Sequence, residues 1–343
     1  MGLAQLPALL GRDRPRAARS ARLMPRQLYS RRALLAGAGA LTLAGCGAVT
    51  ERALSDVTLS VWRYKTTAGN FMAAAGQADT PYQVRYVDLP GGPLVLNAYA
   101  AGALDYAYMS EIPPAFALQS GTPLRLIATH QGDVNNSGVL VVKGSSARRF
   151  SDLRGRTIAY TPNTNNHYYL LKLLEAHDLR LSDMQAVGLP ANDANAAFTR
   201  GHVEAIVTGG ISALLTESLL GGRWIVRSVA GLYSGNFCIS AHPAALADPL
   251  KRAAIRDYLR REQATWQWID RNPERWAALS GTLSSQPAAL FQRLAREASR
   301  PALIVPPAKS AIASLQHVAD DLARFALVRD RHDLSALWEP DLI

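Results

Sequence analysis

Apolar and polar positions alternate from Val57 to Trp62 and again from Tyr82 to Val87, the period of half-buried strands. The small, Ala-rich stretch Thr66 to Gly76 between them predicts a helix. Gly92 and Pro93 open a second helix, which carries Leu94, Leu96 and Tyr99 and closes at Gly102, with Pro at the first turn and Gly past the last. A strand over Leu104 to Tyr108, a loop to Ile112 and a helix starting at Pro113 and Pro114 continue the alternation. Strand, helix, strand, helix predicts an α/β fold with a parallel sheet and crossovers. The same rhythm places strands at 124–129, 138–142, 156–160, 186–189 and 203–207, and helices at 150–154, 167–177 and 191–200. From Pro249 the chain reads as mainly helical, with Trp266, Trp268 and Trp276 spaced as a buried face.

A chain of 343 residues with 48% apolar and 19% charged residues can bury a large core, and at that length two lobes are expected. The formal charge of +10 suggests nucleic acid until its location is considered: eight arginines against Asp13 alone fall within residues 1–46. The rest is close to balanced and has no basic stripe with interleaved aromatics, so no nucleic-acid partner is expected. After those arginines, Ala33 to Ala44 is a run of Ala, Leu and Gly broken only by Thr42, too short for a span that needs ~20 residues. It fits the apolar region of a secretory signal. Ser30 to Leu35, with Arg31 and Arg32, resembles a twin-arginine export signal, and Leu43-Ala44-Gly45-Cys46 resembles a lipobox. Residues 1–46 are therefore expected to be a signal peptide, with Cys46 the lipidation site that anchors the protein to a bacterial membrane, facing the periplasm. Only Cys238 then remains, so no intrachain disulfide is expected. The seven histidines are scattered without zinc spacing, and neither a metal nor a cofactor is expected.

Several segments keep a common order: Gly92 to Tyr108 followed by Pro113-Pro114, Asp152 to Arg156, Leu189 to Asp193 with Ala196 to Phe198, Gly201 to Ala205, and Gln316 to Asp320. Together they resemble the bacterial solute-binding proteins for aliphatic sulfonates, taurine and nitrate. The resemblance implies a type II periplasmic binding protein fold, two α/β lobes with a hinge of two crossing strands. Lobe 1 is then 55–140 plus 231–343 and lobe 2 is 141–230. It also implies a monomer that closes on a small oxyanion and delivers it to the membrane subunits of an ABC importer.

In open α/β sheets ligands sit at the carboxyl ends of strands, where helix N-termini offer N–H donors to anions. The segment Asn163 to Tyr168 is rich in short capping and donor side chains, so Thr164, Asn165 and Asn166 are expected to touch the anionic head. His167 matches the family's histidine at this place. Ser110 is a second candidate, with Glu111 expected to cap the following helix instead of meeting an anion. Arg63 can grip a sulfonate with two parallel bonds, and Asn236, with Ser234, lies near the return crossing. Gly209 and Gly210 stand where the family usually has a Trp-Asp-Pro-Tyr wall. The missing carboxylate leaves a ligand ammonium without its partner, so the expected ligand is an organosulfonate lacking a free amine. An enzyme resembling the thiamine-pyrimidine synthases is the alternative, but those need a cysteine-rich loop and a metal, and no Gly-x-Ser-x-Gly elbow is present. A ligand-sensing regulator needs an N-terminal DNA-binding segment where the signal lies. A non-enzymatic binding protein is the expectation.

Overall fold

The computed structural model describes residues 52–339 and Leu342; the expected signal segment and Cys46 lie outside the described residues. The chain runs through β1 (Thr58–Arg63), β2 (Gln83–Asp88), α1 (Gly92–Ala100), β3 (Tyr106–Ser110), α2 (Pro113–Ser120) and β4 (Arg125–Gln131). It then crosses to β5 (Ser137–Val141), β6 (Thr157–Tyr160), α3 (Asn165–Ala176), β7 (Gln185–Gly188), α4 (Ala191–Thr199), β8 (Ala205–Gly209), α5 (Gly210–Leu220) and β9 (Arg223–Val226). After the return come β10 (Asn236–Ala241), α6 (Pro243–Ala247), α7 (Pro249–Arg271), α8 (Pro273–Ser284), α9 (Ala288–Glu297), β11 (Leu303–Val305) and α10 (Lys309–Arg324).

Two sheets result, one in the order β11-β4-β10-β3-β1-β2 and the other β7-β6-β8-β5-β9. Neither is wholly parallel, which amends the sequence expectation. β10 runs antiparallel to β3 and β4, and β5 antiparallel to β8 and β9, because these strands enter from the opposite sheet. Proline at the first turn starts α1, α2, α6, α7 and α8, and the Asp248 carboxylate accepts from the backbone N–H groups of Leu250 and Lys251 to cap α7. The helix expected over 66–76 is one 3-10 turn at Ala68–Asn70 followed by turns. There the Asn70 amide donates to the Lys65 carbonyl, and Gly69 brings the backbone against the Tyr86 and Tyr258 rings, where a Cβ would crowd.

On one face of the first sheet Leu59, Val61, Tyr106, Ile127 and Ile239 pack against Ile255, Tyr258 and Leu259 of α7. Burial of each such side chain contributes ~1.5–3 kcal/mol. Leu140, Ala159 and Ile206 of the second sheet pack against Phe198 and Ala213. A further cluster is continuous across both, joining Tyr99 and Met109 through Tyr233 and Cys238 to Leu170 and the inward face of α10. Cys238 is buried, as expected of a small core residue. The three tryptophans do share one cluster with Phe71, Ile269 and Phe291, Trp276 buried within it and Trp266 and Trp268 half-buried against it.

The crossings at 132–136 and 227–235 are loops that touch one another. Val229 N–H and the Ser228 hydroxyl both donate to the Val134 carbonyl, and a Cβ at Gly132 would run into the Gly235 carbonyl oxygen. Arg300 staples them: its Nε donates to Gly132 O at 2.7 Å, and its Nη2 to Ser234 O at 2.7 Å and Asn236 Oδ1 at 3.1 Å. Among the described residues no helix is long and apolar enough to cross a membrane.

Candidate functional site

The strand ends of the two sheets face one another across a cleft of about 1010 Å³. The wall from the second sheet is made of Ser137, Asn165, Asn166, Gly209 and Gly210. Asn165 and Asn166 open α3, after Thr164 in extended backbone, so the helix starts two residues earlier than the sequence pattern suggested. Their side-chain amides bond to no other described residue and are only half-buried, which leaves them free as donors. The β8–α5 junction brings a second helix start to the same wall. Gly210 has φ +58°, where a side chain is strained, and its N–H donates to the Asn136 carbonyl; a Cβ at Gly209 would strike the Ser137 hydroxyl. Glycine at both positions keeps the backbone of this wall bare. Two helix N-termini beside neutral amides favour a negative charge without supplying a fixed cation.

The facing wall is aromatic. Tyr108 near the end of β3, His130 near the end of β4, Phe237 at the start of β10 and Trp266 on α7 all line the cleft. Tyr108 and Phe237 stack with centroids 4.6 Å apart and planes 10° apart; Trp62 stacks behind Tyr108 at 5.7 Å. His130 meets Tyr108 edge-on at 5.1 Å and Trp266 at 4.7 Å. Burial, helped by the Arg300 charge, holds the His130 pKa down at about 3, and burial pushes the Tyr108 phenol far up. Both rings are therefore uncharged at neutral pH. The acids of the cleft are elsewhere. Asp270 and Glu274 are exposed at its rim, and Asp133 is consumed by N–H groups of Asn135, Asn136 and Ser299, which hold its pKa low although burial opposes them.

Of the residues singled out from sequence, Asn165, Asn166, Gly209 and Gly210 come together in the cleft, and the others do not. The Thr164 hydroxyl turns back to donate to the Thr161 carbonyl at 2.7 Å. His167 is buried with its ring on Tyr160 at 4.6 Å, and its Nδ1 accepts from Asn163 N–H at 3.3 Å. Burial lowers its pKa to about 4, so it is a neutral packing group and not an anion contact. Arg63 is spent on Asp88, its register partner across β1 and β2, through two bonds of 2.9 Å, and lies over the Tyr86 ring. Ser110 pairs with Phe237 across β3 and β10 without lining the cleft. Asn236 and Ser234 border a separate cavity of about 330 Å³ on the Arg300 side of the hinge. Glu111 does not cap α2: it is buried and accepts from the Ser234 hydroxyl, and burial pushes its pKa up to about 7.

Sequence reasoning passed over Tyr108, His130, Phe237 and Trp266. The signal was present, since Trp62, Tyr108 and His130 each fall at or just past the end of a predicted strand, where a ligand wall forms. Among the described residues no cluster of three or more His, Cys, Asp or Glu is placed to hold a metal ion.

Residues 83–219 match the NMT1/THI5-like family model. A protein of Escherichia coli (strain K12) named for binding aliphatic sulfonates is 27% identical over 269 residues, covering 75% of this chain and 80% of its own length. The solved structure of the periplasmic aliphatic sulphonate binding protein SsuA from Escherichia coli superposes with a TM-score of 0.75 at 22% identity, over 83% of this chain and 93% of that one. The alkanesulfonate-binding protein SsuA from Xanthomonas axonopodis pv. citri, bound to MOPS, superposes with a TM-score of 0.75 at 21% identity, over 82% and 98%. These likenesses bear out the family resemblance read from the sequence and the α/β periplasmic binding protein fold.

Proposed function

We propose that the chain is the extracytoplasmic solute-binding component of an ABC importer, capturing an organosulfonate or related oxyanion between its two lobes and handing it to the membrane subunits. The observation that carries this is the cleft wall of Asn165, Asn166, Gly209 and Gly210, where two helix starts and two unengaged amides converge and the neighbouring Asp133 carboxylate is taken up by N–H groups of Asn135, Asn136 and Ser299. The likeness to sulfonate-binding proteins supports the same reading. The boundary expected at 140 falls inside β5 of the second sheet, so we set lobe 1 at 55–131 plus 236–343 and lobe 2 at 137–226, joined by the two crossing loops, and ligand held by both favours the closed form that the permease reads. The protein acts as a monomer without a cofactor, held at the periplasmic face of a membrane by a lipid on Cys46.

Binding, not catalysis, is favoured because the histidine beside the amides, His167, is turned into packing. The thiol of Cys238 is buried, and burial together with the Glu111 charge raises its pKa. A ligand without a free amine is favoured because Gly209 and Gly210 put no carboxylate on the head-binding wall. Calorimetry on the mature protein tests the reading. Sulfonates are expected to bind and raise the melting temperature with no product formed, and Asn166→Asp is expected to weaken binding at least tenfold by setting a carboxylate against the anion. Tight taurine binding refutes the amine-free ligand; inert sulfonates, or their turnover, refute the function.

A further inference from the structure

The amides of Asn165 and Asn166 and the bare glycines 209 and 210 lie on the second sheet's side of the cleft, and the ring cluster of Tyr108, His130, Phe237 and Trp266 lies on the first, with Tyr169 of α3 and Gln292 of α9 adding one ring and one amide to the opposite sides. Resting on the proposed oxyanion-binding function, we infer that the ligand is an arenesulfonate, a flat aromatic tail carrying the anionic head, and not a short alkanesulfonate.

Three features lead there. The cleft volume, about 1010 Å³, is at the upper end of the range for ligand pockets, ~300–1,000 Å³ for drug-sized molecules, and far exceeds what a two-carbon sulfonate fills. The tail wall is built from rings supplied by four separate elements, β3, β4, β10 and α7, in near-parallel and edge-on pairs 4.6–5.1 Å apart. Tyr108 has both faces covered by Trp62 and Phe237, so the half-buried Phe237 and Trp266 are the rings an inserted arene meets, gaining quadrupole attraction beyond its buried area, whereas an alkyl chain gains area alone. The rings are also fixed before a ligand arrives: Tyr108 is held between Trp62 and Phe237, so stacking on this wall orders little that was free. Finally, the rings themselves carry no charge: His130 is neutral, the rim acids Asp270 and Glu274 are solvated, and the nearby Arg300 and Asp133 are already engaged by the crossing loops.

Calorimetry on the mature protein with naphthalene-1-sulfonate, benzenesulfonate, cyclohexanesulfonate, hexane-1-sulfonate and a trimethylammonio-propanesulfonate tests the inference. Naphthalene-1-sulfonate is expected to bind at least ~10-fold more tightly than hexane-1-sulfonate, and benzenesulfonate ~2–10-fold more tightly than its saturated counterpart, the size of one aromatic contact. Trp266→Leu and Phe237→Leu, each checked for a native melting transition, are expected to lower affinity for the arene more than for the alkane. If one of the two variants fails to fold, the other carries the comparison. Equal or tighter binding of the alkanesulfonates, or of the quaternary ammonium sulfonate, overturns the arene assignment while leaving sulfonate capture intact. Failure of every sulfonate to bind removes the function on which the inference rests.

Discussion

Asp321 on α10 is a single buried carboxylate on which much of the α3 orientation depends. It accepts from the Tyr168 hydroxyl at 2.7 Å and the Lys172 ammonium at 3.0 Å, both on α3, and from Arg324 on its own helix. Burial works to raise its pKa, but the bonds from Arg324, Tyr168 and Lys172 outweigh it and hold the carboxyl below the usual range. Asp321→Ala leaves Lys172, whose side chain is 14% exposed, without this partner, and strands the Tyr168 hydroxyl in the core. Removing one member of a buried pair costs ~3–5 kcal/mol. For about 290 described residues that corresponds to a fall in melting temperature of about 5–8 °C. Asp321→Asn, which keeps an acceptor for Tyr168, is expected to fall by less than half as much. Because α3 carries Asn165 and Asn166 at its start, ligand affinity of the folded Asp321→Ala protein is expected to drop as well. Differential scanning calorimetry at pH 7 is the assay. A shift below 2 °C for the alanine variant refutes the reasoning, since it shows that Lys172 and Tyr168 find solvent or other partners at no cost.

Other expectations rest on other parts of the hinge and cleft. Glu111 and Glu262 are both buried, and burial lifts each from 4.5 to about 7; the folded state then holds protons that the unfolded state has released, so their stabilisation is complete below about pH 4.5 and lost as pH rises through 7. Glu111→Gln is expected to flatten that decline, by an amount on the order of 2–3 kcal/mol, in melting curves taken from pH 5 to 7.5. Arg300→Met removes three bonds to the crossing loops and is expected to accelerate hydrogen exchange at 132–136 and 227–235 ahead of the sheet cores; uniform exchange speaks against the staple. The ion pair of Arg293 on α9 with Glu217 on α5, at 2.7 Å, joins elements flanking the two sheets, and Glu217→Ala is expected to weaken ligand binding about two- to fivefold with little change in unliganded stability. Unchanged affinity shows that the pair does not depend on closure.

The elements were legible where one residue decides the local backbone. Pro93, Pro113 and Pro249 start their helices as read, and Gly102 follows the end of α1 in left-handed backbone. The anion wall was legible for the same reason, since short polar residues after a strand announce a helix start. Arg63 was misjudged because an arginine's role depends on what lies across from it, and β2 sets Asp88 there. Glu111 misled because its fate is decided by Ser234, 123 positions away along the chain. His167 kept its family position but turns inward, since Tyr160 at the end of β6 supplies a ring to pack on. The aromatic wall is a long-range product: Phe237 reaches Tyr108 and His130 only once β10 has returned between β3 and β4. Apolar periodicity along one segment carries no trace of that convergence, and it assigns Trp266 to the core because a cleft wall and a core share the same spacing.

The segregation of head and tail also bears on how closure is driven. Ile211, at the start of α5, packs with Phe71, Trp276 and Phe291 from the first sheet's side, so the cleft described here has its two walls already in contact at one edge. A ligand that engages only the amides interacts with one sheet and has no differential affinity for this arrangement. A ligand whose tail reaches Phe237 and Trp266 while its head sits at Asn165 and Asn166 spans both walls, and its binding energy then depends on their separation. Closure is therefore selected by molecules long enough to bridge the cleft. A head group alone, such as sulfate, is expected to bind without stabilising the contact of Ile211 with the opposite lobe. Under the proposed function the protein is expected to discriminate at two levels, affinity for the oxyanion on one wall and the capacity to close on the other, the second depending on the aromatic residues.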